Sequence, residues 1–67
     1  MKNRIKVARA EYDMTQADLA SKIGVSRQSI NAIEKGKYVP STVLALKIAK
    51  LFERKVEDIF TLDSLED

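Results

Sequence analysis

The sequence predicts an all-α fold, and three observations carry that prediction. Apolar residues recur at intervals of three and four along most of the chain, the spacing that lines one face of a helix. Serine or threonine stands just before three of these runs and glycine just after two of them. Those positions favour a short capping side chain at the start and a left-handed backbone at the end. Asn-Gly and Asp-Gly hairpin dipeptides are absent, as is any sustained alternation of apolar and polar residues.

Each helix can be justified in turn. Residues 2–12 place Ile5, Ala8 and Tyr12 at helical spacing with charges between them. Thr15 reads as an N-cap with Asp18 as its capping-box partner, opening a second helix over 16–23 that buries Leu19, Ala20 and Ile23 and stops at Gly24. Ser26 caps a third helix over 27–35, with Ile30 and Ile33 turned inward and Gly36 closing it. After the loop 36–40, which holds the single proline, Ser41 caps a fourth helix over about 42–52, its buried stripe being Ala45, Ile48, Ala49 and Phe52. A short fifth helix near 56–60 precedes an acidic tail, 61–67. The 67 residues read as one domain, with a core from about 5 to 60.

Composition narrows the chemistry. There is no cysteine and no histidine, which excludes disulfides, Cys/His zinc sites and histidine-based nucleophile relays. No apolar run approaches the roughly 20 residues of a membrane span, so the expectation is a cytoplasmic protein. Glu11, Asp13 and Asp18, and the acidic end Glu57, Asp58, Asp63, Glu66 and Asp67, lack calcium-loop spacing and read as solvated charge. No metal, cofactor or small-molecule ligand is expected. The net charge of +2 conceals an asymmetry: residues 1–37 carry eight basic and four acidic side chains, residues 38–67 four basic and six acidic. An anionic partner would therefore meet the first half. A domain of about 60 residues buries only some 60 % of its unfolded surface, so dimerisation is a reasonable expectation.

The most informative stretch is 16–35, two short helices joined by a turn of about three residues. Ala20 is small where the two helices cross, Gly24 permits a positive φ in the turn, and Val25 and Ile30 fill the wedge between them. This is what a helix-turn-helix requires if the outer face of its second helix is to enter a major groove.

In these residues the chain resembles the phage-repressor and Cro family of helix-turn-helix regulators, in particular its small prokaryotic members. The resemblance covers about residues 5–60 and rests on Thr15-Gln16, Leu19-Ala20, Gly24-Val25-Ser26, Ile33-Glu34-Lys35-Gly36, Pro40-Ser41, Ile48-Ala49 and Glu57-Asp58-Ile59-Phe60. It implies a five-helix lambda-repressor-like DNA-binding domain. In such a domain Arg27 and Gln28, on the first turn of the recognition helix, reach base edges: Arg suits guanine O6/N7 and Gln suits adenine N6/N7. Arg27 could instead hold a phosphate. Asn31 extends the footprint as a base or phosphate contact, whereas Ala32 offers only a methyl group. The resemblance implies phosphate contacts at Gln16 and Ser29, to which Ser26, Lys35, Lys37 and Tyr38 are added; Tyr38 could equally pack over the fourth helix. Arg9 and Glu34 occupy the positions of a structural ion pair. Leu62 and Leu65, beyond the expected core, are candidates for a dimer contact or a terminal pairing between protomers.

The function these residues imply is a sequence-specific transcriptional regulator, not an enzyme. The simplest form is a homodimeric repressor of the cytoplasm and nucleoid, bound to double-stranded DNA at a palindromic operator. An antitoxin-like protein that also binds a toxin, and a helix-turn-helix used as a protein adaptor, are the alternatives.

Overall fold

Three helices start where the sequence supplies a hydroxyl. A computed structural model describes residues 1–65; Glu66 and Asp67, the end of the acidic tail, lie outside the described residues. Helix α1 spans Ile5–Glu11, α2 Gln16–Ile23, α3 Arg27–Glu34, α4 Thr42–Leu51 and α5 Val56–Ile59. At α2 the Thr15 hydroxyl accepts the Asp18 amide and the Asp18 carboxylate accepts the Thr15 amide, both at 3.0 Å, a reciprocal capping box. Ser26 Oγ accepts the Ser29 amide at 3.1 Å and Ser41 Oγ accepts that of Leu44 at 3.2 Å. Gly24 and Gly36 follow α2 and α3 with φ of +77° and +74°.

The two ends of the chain differ from the expectation. Residues 2–4 do not belong to α1, and Phe60 does not belong to α5. Instead β1, Lys2–Asn3, pairs antiparallel with β2, Phe60–Thr61, in the register Lys2↔Thr61 and Asn3↔Phe60. Asn3 explains the late start of α1: its Oδ1 accepts the Ile5 amide at 3.2 Å, while its Nδ2 donates to the Ile33 carbonyl at 2.8 Å. The Arg4 amide completes the junction by donating to the Ile59 carbonyl at 2.8 Å. A terminal pairing thus exists within the chain. It brings Asp63 to 3.4 Å from the Met1 ammonium and 3.9 Å from Lys2 Nζ, so part of the acidic segment lies against the basic amino terminus.

The core sits where the five helices meet. Ile5, Leu19, Ile30, Ile33, Ile48 and Phe52 are its largest fully enclosed side chains. Ala8, Ala20 and Ala49 are its small buried members, and Ile59 and Phe60 bring residues of α5 and β2 into it. Tyr12, at helical spacing from Ile5 and Ala8, lies at the margin of the core. Its ring meets Phe52 at 5.4 Å and its hydroxyl donates to the Phe52 carbonyl at 2.9 Å, so the polar tip finds a partner while the residue stays 41 % exposed. Val25 and Ala45 are likewise half-buried against the core.

Candidate nucleic-acid interface

Helix α3 is held from behind by Ile30 and Ile33, both buried, and this fixes which of its residues face out. Arg27 and Gln28, on its first turn, are exposed, as are Lys35 and Lys37 after its last turn. The link from α2 is short because Gly24 and Val25 both donate their amides to the Ala20 carbonyl, at 2.9 and 3.0 Å. The chain then turns directly into the Ser26 cap. The two serines of that cap are joined, Ser26 Oγ lying 2.9 Å from Ser29 Oγ. At the other end the Lys37 amide donates to the Ala32 carbonyl at 2.9 Å, placing Lys37 and Tyr38 on a tight exit turn. Tyr38 is 47 % exposed.

Behind the exposed face, one polar cluster connects α1, α2 and α3. Arg9 Nε and Nη2 donate to the two oxygens of Glu34 at 2.7 and 3.1 Å, and Nη1 donates to the Met14 carbonyl at 3.0 Å. The hydrogen bond to Glu34 is the main cause of a raised Arg9 pKa, against the opposing effect of burial. Glu34 also accepts from Gln16 Nε2 at 3.2 Å, and Gln16 Oε1 accepts from Asn31 Nδ2 at 3.3 Å. The expected Arg9–Glu34 pair is therefore formed in bidentate geometry. Gln16 and Asn31, assigned separately from sequence, belong to the same cluster.

These four residues, with Asn3, Lys6 and Lys35, line a surface groove of about 430 Å³. Lys6 was not among the sequence-derived contacts. A signal for it existed, since it precedes Arg9 by three residues on α1 and so shares its face. Asn3 carried no such signal, because its two bonds depend on where α3 lies. Arg27, Gln28, Lys35, Lys37 and Tyr38 are each exposed, and of these Lys35 also lines the groove formed with Arg9, Glu34, Gln16 and Asn31. Leu62 and Leu65 stand apart beyond β2, 54 % and 98 % exposed. No helix among the described residues is long and apolar enough to cross a membrane.

Comparison with known proteins agrees with this fold. Residues 5–59 match the helix-turn-helix family. An uncharacterised HTH-type transcriptional regulator of Methanocaldococcus jannaschii is 61 % identical over 66 residues, covering 98 % of this chain and 100 % of that protein. Another, YgzD of Bacillus subtilis, is 52 % identical over 63 residues, covering 94 % of this chain and 96 % of its own length. Among solved structures, a proposed DNA-binding protein from Bacteroides fragilis superposes with a TM-score of 0.77 at 33 % identity, covering 87 % of this chain and 94 % of the other. The family and the fold both point to a protein that is not an enzyme.

Proposed function

The chain belongs to the helix-turn-helix family, and on that premise we propose that it is a sequence-specific DNA-binding transcriptional regulator acting in the cytoplasm, at the nucleoid. One observation carries the reading. Arg27 and Gln28 project from the first turn of a helix whose opposite face is locked into the core, the presentation that base-edge readout in a major groove demands. In this proposal Gln16, Ser26, Ser29, Lys35, Lys37 and Tyr38 hold the phosphates on either side. A homodimer presents two α3 helices to a palindromic operator, with Leu62 and Leu65 as candidate contacts, and regulation is repression by occupying a promoter.

The test is selection of bound duplexes from a random library, followed by sequencing. The expected product is an inverted repeat with half-sites about 34 Å apart, one helical turn. Recovery of unselected sequence with purely salt-sensitive binding would overturn the reading. Two substitutions separate its parts. Gln28→Ala relaxes the preference at one position of each half-site. Lys37→Ala weakens binding to every sequence alike and reduces the salt slope by about one unit. If the two variants behaved identically, the division into base and backbone contacts would be wrong.

A further inference from the structure

We propose that Asn31 is a positioning residue that acts on the DNA backbone through Gln16, and that it reads no base. The inference rests on the DNA-binding reading above and begins with the direction of the hydrogen bonds. The Glu34 carboxylate can only accept. Arg9 already donates to both of its oxygens, and Gln16 reaches the same group. Gln16 must therefore turn its NH2 toward Glu34, which leaves Oε1 on the side of α3. Only a donor satisfies that oxygen, and Asn31 Nδ2 supplies it at 3.3 Å. The orientation of both amides is set by Arg9 and Glu34, whose side chains are only 13 % and 9 % exposed.

This geometry conflicts with base reading. An asparagine that recognises adenine presents Nδ2 and Oδ1 together to N7 and N6. Asn31 is half-buried and turns Nδ2 back toward α2, so the fork is not offered outward. Gln16, by contrast, is the first residue of α2 and is held from both sides. Nε2 has a second proton beyond the one given to Glu34, the donor for a phosphate oxygen seated in the groove lined by Lys6 and Lys35. Fixing the rotamers of a flexible side chain before the partner arrives removes an ordering cost from binding. Asn31 thus ties the recognition helix to the residue that grips the backbone.

A double-mutant cycle on the full chain tests this, with Asn31→Ala, Gln16→Ala and the pair measured on the selected operator and on an unrelated duplex. Alanine suits a helix, and a thermal melt of each variant checks that it is folded. Asn31→Ala is expected to weaken both complexes by the same factor, about 3- to 10-fold for one neutral hydrogen bond. It leaves the selected sequence unchanged and adds no further loss in the Gln16→Ala background. A relaxed preference at one base pair would make Asn31 a base reader and overturn the proposal. A uniform loss that adds fully to that of Gln16→Ala, or no loss at all, would overturn it too. Failure of the wild-type protein to select any sequence would instead sink the DNA-binding reading itself.

Discussion

Glu34 accepts three hydrogen bonds from two side chains while its own side chain is only 9 % exposed, so its charge depends on Arg9 for compensation. Breaking such a pair from one side leaves an unpaired carboxylate under the protein surface, whereas removing both charges does not. Arg9→Met should accordingly lower the unfolding free energy by roughly 2–4 kcal/mol at neutral pH, and Arg9→Met with Glu34→Met should lower it by less than the single change. Urea denaturation of both variants decides it; a double variant less stable than the single one would show that the unpaired Glu34 carboxylate is not the source of the loss. DNA binding should not recover in the double variant, because Gln16 loses its anchor. The pair itself was legible in the sequence through the family resemblance. The extension through Gln16 to Asn31 was not, because those bonds join residues 18 and 15 positions apart, and helical periodicity speaks only to neighbours three or four apart.

Among the elements, the caps were the most legible features, since each is a local contest between a side chain and an orphan amide. Thr15, Ser26, Ser41, Gly24 and Gly36 stand where their types predict. Two helix ends were hidden because they use unfavourable residues: Asp13 and Glu53 adopt φ of 57° and 55° after α1 and α4. There the next amides, of Met14 and Arg54, bond back to Arg9 and Ala49 at 2.9 and 3.0 Å, and that closure fixes the turn without glycine. The β1–β2 pair was hidden for another reason: two-residue strands carry no period, and Asn3 is extended only because α3 and α5 accept its neighbourhood's bonds. The α2 capping box yields a pH prediction. The Thr15 backbone amide, and then its hydroxyl, hold the Asp18 pKa below its ordinary value, about 3.9 in the unfolded chain. A group whose folded pKa is depressed contributes stability that is complete above the unfolded value and lost as pH falls through the folded one. The difference in Tm between the wild type and Asp18→Ala should therefore be full near pH 6 and shrink steadily below pH 4. A difference independent of pH over that range would mean that the carboxylate charge plays no part in the cap.

At the scale of the molecule, the palindromic operator proposed above would call for a second copy on grounds of dimension and number. The long axis measures 32 Å, and each chain offers one α3. Half-sites of a palindrome lie about 34 Å apart, so one copy cannot present recognition helices to both. A second copy needs an apolar surface, and among the described residues the most exposed large aliphatic side chains fall in two places, with Val7 of α1 apart from both. Leu62 and Leu65 follow β2, at 54 % and 98 % exposure, while Val39, Val43 and Leu46 line the approach to α4 and its outer face, at 61 %, 62 % and 52 %. Neither set belongs to the buried core cluster or to the half-buried residues packed against it. Under the dimer proposed above, sedimentation of the wild type should show a concentration-dependent dimer. Leu62→Asp with Leu65→Asp should shift it to monomer without changing the helical circular dichroism. On DNA the same variant should lose affinity for the two-half-site duplex and keep its affinity for a single half-site, because the contacts of α3 are untouched while the gain from tethering two sites disappears. If that variant sediments as the wild type does, and Val43→Asp with Leu46→Asp dissociates the dimer instead, the interface belongs to α4 and not to the tail. A wild-type monomer at every concentration, bound equally well to one half-site and two, would leave the operator to be read by single copies.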